Sequence, residues 1–283
     1  MNHVNRVLSV APLTAPGTGA IKFVEAAAKA GFEHVGIRLK TPVPGPAMEP
    51  EMEDNRLRRK LVKRVRDTRL KVLEVEAFWI SPDFDIEFVK PAIETGALLG
   101  AKFILVVGND PDLNRFQINF GRLSELVRSY DMRVALEFLP YVAVKNLEMA
   151  LKTIHFSDDA NDGLLIDALH FVRSGGKPAD LAGIPPGKIH FIHLCDASDE
   201  APKSLPELRR EAREARLLPG FGSLPLHEFF HAVPLDTPIE IECPTRANAH
   251  LSALEQLTLA RQATLKVLER IKGTDTSGKP IKK

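Results

Sequence analysis

Four apolar runs in the second half of the chain end on residues that handle protons or metal ions. Ala135-Leu136-Glu137-Phe138 carries Glu137, and Leu165-Ile166-Asp167 ends on Asp167, with His170 three residues later. Phe191-Ile192-His193-Leu194-Cys195-Asp196 carries His193 and Asp196, and Ile239-Glu240-Ile241-Glu242-Cys243 carries Glu242. An ionisable group among such neighbours is costly to bury without a partner. Glu137, Asp167, His193 and Glu242 together offer three carboxylates and one imidazole. That set suits one divalent ion such as Mn²⁺, Mg²⁺, Co²⁺ or Zn²⁺, and the ion explains how three acids can converge without repelling one another.

Each residue also has a plainer reading. Glu137 could pair with a lysine or arginine at a rim. His193 could be a core histidine bonded to a carbonyl, as His190 on the opposite face of the same run is read. Asp167 could be an exposed strand end, with His170 opening a loop. Asp196 could cap a helix or turn, and a supporting place behind the ligands is favoured for it. Glu240 and Glu242 share a face by the strand period of two. Glu240 lies deeper and is expected to meet a basic group lower down, whereas Glu242, nearer the end, is the candidate ligand. Four ends of the same kind outweigh these readings taken singly.

The elements that must position these groups alternate along the whole chain. Strands are expected at 6–11, 34–39, 72–78, 102–107, 133–138, 163–166, 188–194 and 239–243. Helical patterns lie between them at 20–30, 51–69, 84–99, 113–130, 144–154 and 205–217, with a closing amphipathic helix at 251–271. The least regular part is 173–186, rich in glycine and proline, and 41–50 with four prolines reads as an extended loop. Helices long enough to cross back between strands imply a parallel sheet. Eight strands close an α/β (β/α)8 TIM barrel, for which 283 residues is an ordinary length. An open doubly wound sheet is the competitor, weakened by the lack of a Gly-x-Gly-x-x-Gly after the first strand. In a barrel the active site lies at the C-terminal ends of the strands, where all four candidate ligands stand. One domain is expected over 1–272, followed by a flexible tail over 273–283.

These motifs carry a resemblance. Glu137, Asp167-x-x-His170, His193-Leu-Cys-Asp196 followed by Leu218-Pro219-Gly220-Phe221-Gly222, and Ile241-Glu242-Cys243-Pro244 resemble the xylose-isomerase-like barrel superfamily of sugar phosphate isomerases and epimerases. That superfamily also holds inosose and 3-dehydroshikimate dehydratases and, more distantly, endonuclease IV. The likeness runs from Gly31-Phe32-Glu33-His34-Val35-Gly36 onward. One position departs: relatives carry an acidic residue where Phe221 stands, which puts the loop over the pocket in question. The resemblance implies a divalent-metal-dependent isomerase or epimerase acting on a small keto-sugar or polyol-derived substrate through a metal-bound enediolate. Glu137 and Glu242 would be both ligands and the acid–base pair, one on each face of the substrate, and His170 would bond a substrate oxygen. Returning the proton to the other face is epimerisation, and returning it to the neighbouring carbon is aldose–ketose isomerisation. Losing a β-hydroxyl is dehydration, which keeps a dehydratase of a cyclic keto-polyol or dehydroshikimate-like acid as the alternative.

Further residues could line the mouth. Arg38 could meet a substrate carboxylate or phosphate, or a rim acid. Glu76 and Trp79 end the third strand, and Trp79 could stack on a sugar ring or simply pack. Asn109 could bond a hydroxyl or shape a turn. Arg216 could reach an anionic group, while Arg209, Arg210 and Arg213 read as a solvated helix face.

A net charge of +1 gives no global pull toward nucleic acid or acidic membranes. Together with few histidines at the strand ends, it argues against a nuclease. No apolar stretch reaches the length of a membrane span or a secretory core. Cys195 and Cys243 read as buried reduced thiols, in keeping with a cytoplasmic enzyme. The expected partner is a small molecule, with neither nucleic acid nor membrane, and barrels of this kind often form homo-oligomers. A non-catalytic sugar-binding or accessory subunit is the alternative from another class, although a binder has little need of two facing carboxylates.

Overall fold

Strands covered on both faces are mostly apolar, and the exceptions here are buried polar residues such as Ser9, Glu74, Glu76, Glu137, Asp167, His193 and Glu240. The computed structural model of the chain describes residues 6–157 and 161–272. In order, the elements are β1 (Leu8–Val10), α1 (Ala20–Lys29), β2 (His34–Arg38), α2 (Pro50–Glu53), α3 (Asn55–Thr68), β3 (Lys71–Ile80), α4 (Ile86–Leu98), β4 (Phe103–Gly108) and α5 (Leu113–Arg128). They continue with β5 (Arg133–Glu137), α6 (Leu147–Ser157), β6 (Gly163–Asp167), α7 (Ala168–Arg173), β7 (Ile189–Leu194), α8 (Leu205–Glu214), α9 (Leu226–Ala232), β8 (Ile239–Ile241) and α10 (Ala253–Lys272). Every ladder is parallel, in the order β1-β8-β7-β6-β5-β4-β3-β2. The end strands β1 and β2 lie against each other, so the sheet forms a nearly closed (β/α)8 TIM barrel. Among the described residues no helix is long and apolar enough to cross a membrane.

Two apolar layers follow from the alternation of strand side chains. Val75, Ile104, Val106, Leu136, Ile166 and Ile192 face outward to the helices. Leu73, Leu105, Ala135, Leu165, Phe191 and Phe103 face inward and fill the lower barrel. Polar residues at the N-cap start several helices: Asp54, Asp85 and Asp112 each accept from backbone N–H groups of the first turn. Ser204 and Glu207 form a reciprocal capping box on α8.

Some elements differ from expectation. The helix expected over 51–69 breaks at Asp54, which is extended and caps α3 with its side chain. The short helices α7 and α9 were not foreseen, and the irregular 173–186 contains one 3₁₀ turn, Pro178–Gly183. His190 does not lie on the face opposite His193. The β6–β7 ladder passes from Leu164↔Ile189 to Leu165↔Phe191, skipping His190. This bulge turns its ring inward, where it stacks on Phe103 with centroids 5.0 Å apart. Burial there lowers its pKa to about 3. Cys195 and Cys243 are buried free thiols, as expected. The tail expected at 273–283 lies outside the described residues.

Gly108, at the end of β4, is where the strand meets the helical layer most tightly. A Cβ there would stand 2.4 Å from Val144 Cγ2 and 2.7 Å from Phe116 Cζ. Overpacking of this kind costs about 1–3 kcal/mol. Gly108→Ala is therefore expected to lower stability by that amount in urea unfolding. A change under about 0.5 kcal/mol, ordinary for a surface site, would show that the contact yields.

Candidate metal centre at the strand ends

The four candidate ligands converge. One ligand atom from each of Glu137, Asp167, His193 and Glu242 lies within 4.8 Å of the others, and all four residues are buried. His193 Nδ1 stands at the centre, 3.7 Å from Glu137 Oε1, 3.8 Å from Asp167 Oδ2 and 3.6 Å from Glu242 Oε2. His193 Nδ1 and Glu137 Oε1 are buried and have no hydrogen-bond partner. Unpaired buried polar atoms are rare and call for an explanation, and a bound cation supplies one.

Charge balance points the same way. Arg216 is fully buried behind the quartet. Its Nη1 donates to Asp167 Oδ2 at 2.5 Å, and its Nη2 pairs with Glu242 Oε2 at 2.6 Å. Three carboxylates against one guanidinium leave an excess of two negative charges when the imidazole is neutral. That is the charge a divalent ion carries. The donor set of carboxylates and one imidazole fits Mn²⁺, Mg²⁺, Co²⁺ or Zn²⁺.

The surroundings drive the four groups apart in proton affinity. Burial raises the Glu137 carboxyl well above the usual range, an effect that His193 opposes only in part. Burial would raise Glu242 as well, but Arg216 and His193 hold it below the ordinary carboxylate range. Asp167 is likewise lowered against burial by Arg216 and His170. Burial would lower His193, yet Glu242 and a hydrogen bond to Glu240 raise it well above its ordinary value. His170 is lowered to about 4, chiefly by burial, and is neutral at pH 7.

Asp167 has a double task. Its Oδ1 accepts the backbone N–H of His170, capping α7, while Oδ2 faces Arg216 and the quartet. This cap places His170, whose Nε2 lies 3.4 Å from Arg216 Nη2. The sequence reading missed α7 because it took Asp167 only as a strand end. Asp196, read as either a support behind the ligands or a turn residue, directs its side-chain hydrogen bonds to the loop segments that follow. Its carboxylate accepts from the backbone N–H groups of Ala197, Gly220, Gly222 and Leu224. The loop with the unusual Phe221 is thus held through its backbone, and Phe221 points to solvent, 69% exposed. The departure at this position does not alter the anchoring. Glu240 differs from expectation: its partner is not a lysine or arginine but His193 Nε2, at 3.0 Å, with Ser9 Oγ donating to its other oxygen at 2.7 Å.

A cavity of about 140 Å³ opens beside the quartet. Arg38, Glu76, Trp79, His170 and Arg216 all line it, with Glu137 and Glu242 at its end. Arg38 is paired with Glu76, its Nε donating at 2.8 Å. Asn109 does not line this cavity; its backbone N–H bonds Ile80 O. Tyr141, which was not singled out, and Arg213, read only as part of a solvated helix face, also line it. Tyr141 stands edge-on to His170, with ring centroids 5.7 Å apart. Its place just after strand five was the available signal. Arg209 and Arg213 are exposed, as expected of a solvated face, and both also make contacts at the mouth. Arg213 Nη2 donates to Pro42 O at 2.8 Å, tying α8 to the proline-rich loop, and the Arg209 guanidinium lies 5.5 Å over the Tyr141 ring. A larger surface cavity of about 470 Å³ beside α8 contains none of the quartet.

Residues 24–266 match the family model described as the xylose isomerase-like TIM barrel. The chain belongs to this family. Among curated members, it is 22% identical over 277 residues to an inosose isomerase of Halalkalibacterium halodurans, covering 91% of this chain and 94% of that protein. It is 29% identical over 191 residues to a 3-dehydroshikimate dehydratase of Pseudomonas aeruginosa, covering 61% of this chain and 29% of that longer protein. A crystal structure of the IolI protein with a zinc atom superposes with a TM-score of 0.76 at 20% identity, over 93% of this chain and 98% of that one. For this xylose isomerase-like barrel, that likeness supports the fold, and the metal centre rests on the four converging side chains.

A metal-binding His193 must be neutral, yet its pKa lies well above 6.5 in the protein without metal. Binding of Mn²⁺ or Zn²⁺ at pH 6.5 is therefore expected to release at least one proton per ion, and affinity should climb as pH rises through the His193 pKa. Titration calorimetry in two buffers of different ionisation enthalpy measures the release. Binding with no proton released would show that His193 is already neutral in the free protein at that pH, against the upward shift.

Proposed function

We propose that this protein is a divalent-metal-dependent isomerase or epimerase of a small keto-sugar or polyol-derived substrate. The observation that carries this reading is the buried quartet Glu137, Asp167, His193 and Glu242, beside a cavity of about 140 Å³. The isomerase and dehydratase names of the curated relatives agree with it. These four residues would hold a divalent ion, which would supply Lewis acidity toward a carbonyl and the hydroxyl beside it.

The remaining work falls to the chain itself. Glu242, kept a carboxylate by Arg216 and His193, is suited to take the proton from the carbon next to the carbonyl. Glu137, the other glutamate of the quartet, is the candidate to give one back. Return to the opposite face gives an epimer, and return to the adjacent carbon gives the isomer. His170 meets the substrate as a neutral imidazole able to bond an oxygen, and Trp79 and Tyr141 wall the cavity.

A second reading has its own support. Arg213, which lines the small cavity and forms no ion pair with a carboxylate among the described residues, could meet an acidic substrate, and the Pseudomonas relative is named a 3-dehydroshikimate dehydratase.

Elemental analysis of the untagged protein should find about one divalent ion per chain, and Glu242→Gln should lose it. Exchange of solvent deuterium into keto-sugars, keto-polyols and dehydroshikimate-like acids then separates the two readings by product. Glu137→Gln and Glu242→Gln are each expected to lower kcat by about 10²-fold or more. Either variant turning over at the wild-type rate would remove that residue from the acid–base pair. A metal-loaded protein that exchanges no proton on any of these substrates would instead favour a binding role.

A further inference from the structure

The side of His193 turned away from the quartet is built as carefully as the side facing it. We propose that Glu240 is the positioning residue of the metal centre, fixing the tautomer and orientation of His193 so that Nδ1 presents its lone pair to the ion. The inference rests on the metal-centre reading above and deepens it.

A neutral imidazole carries one ring proton, and the hydrogen bond at one nitrogen decides which nitrogen is free to ligate. Nδ1 faces three carboxylates and has no hydrogen-bond partner. Nε2 faces only Glu240 Oε2, at 3.0 Å. A proton on Nε2 therefore has an acceptor, and Nδ1 is left bare toward the quartet. The opposite tautomer would strand Nε2 without a proton against a carboxylate and fill the metal position with an N–H.

Glu240 is itself held rigidly. Ser9 Oγ donates to its Oε1 at 2.7 Å. The parallel registers Ser9↔Glu240 and His193↔Glu240 set the three residues side by side across β1, β8 and β7. On the β2 side a Cβ at Gly36 would stand only 2.9 Å from Glu240 Oε1, so the bare glycine backbone leaves room for the carboxylate. Among the described residues Glu240 forms no ion pair with a lysine or arginine; His193 is the cation-capable group it meets. The run Ser9–Glu240–His193 thus links the first strand of the barrel to the metal position through two short contacts.

Glu74 provides the control. It is fully buried in the same lower barrel, and its Oε1 lies 2.1 Å from the same absent Cβ of Gly36. Neither of its oxygens has a hydrogen-bond partner, so none goes to His193. A role that came from a buried carboxylate as such would belong equally to Glu74.

The test is zinc affinity, measured by competition with a chromophoric chelator, on wild type, Glu240→Gln, Glu240→Leu, Ser9→Ala and Glu74→Gln. Unfolding curves accompany each protein. Loss of an outer partner of a metal-binding histidine typically weakens affinity by about 10- to 100-fold. That loss is expected for Glu240→Leu. Glu240→Gln, whose amide oxygen can still accept from Nε2–H, should recover part of it, Ser9→Ala should lose less, and Glu74→Gln should stay within about twofold. Nitrogen-15 spectra of the zinc-loaded wild type should place the His193 proton on Nε2, shielded from solvent exchange, and Glu240→Leu should lose that shielding. If Glu240→Leu does not fold, the ordering of Glu240→Gln and Ser9→Ala against Glu74→Gln decides. Folded Glu240 variants binding zinc within twofold of wild type, or a Glu74→Gln loss as large as theirs, overturn the inference and leave the metal centre standing. A wild type that binds no zinc overturns the metal centre, and this inference with it.

Discussion

Bringing three carboxylates together away from water is the constraint on which this structure turns. Glu137, Asp167 and Glu242 are all buried within reach of one another, and such an assembly is stable only if opposite charge is supplied nearby. Arg216 supplies part of it, and its own geometry is fixed on several sides. Nε donates to Ala212 O, and Nη1 donates to both Asp167 and Glu242 O. Its backbone N–H bonds Pro244 O. The end of α8, the loop that follows and the end of β8 are therefore locked together by one side chain. The remaining negative charge sets the demand for a cation, and the cavity lies where that cation would face a ligand.

The strand ends could be read from the chain because strand and acid are adjacent in sequence. Ala135-Leu136-Glu137, Leu165-Ile166-Asp167 and Ile241-Glu242 each show an apolar run and its terminal charge in one glance. What could not be read is pairing between distant segments. Arg216 meets Asp167 across 49 residues; the sequence set it apart from the arginines of α8 as able to reach an anionic group, but nothing in Glu214-Ala215-Arg216-Leu217 names the buried carboxylates it pairs with. His190 was placed on the wrong face because a bulge breaks the period of two, and a bulge is set by the neighbouring strand. The short helix α7 was hidden because one aspartate is strand end, cap and candidate ligand at once. Glu240 was seen to lie deep, but its partner depends on the register of β7 against β8, which the sequence does not display.

The rim follows a different logic from the floor. Below, contacts are short and made between strands: Ser9, Glu240 and His193 stand on neighbouring backbones. Above, they pass between loops and helices, as where Arg213 reaches Pro42 and Arg209 covers Tyr141. Hydrogen bonds from exposed arginines to loop carbonyls are weaker constraints than buried ion pairs. The cover of the cavity is therefore easier to open than its base is to distort, as passage of a small molecule requires.

The eight strands also divide unequally. All four metal-capable residues come from β5 to β8 or the residues just after them, whereas Arg38, Glu76 and Trp79, which wall the cavity, come from β2 and β3. The metal-capable groups thus gather in one half of the barrel, whereas the cavity beside them is walled from both halves, by Arg38, Glu76 and Trp79 on one side and by Tyr141, His170, Arg213 and Arg216 on the other. Substitutions in β2 and β3 can therefore reshape the cavity without replacing any of the four converging side chains.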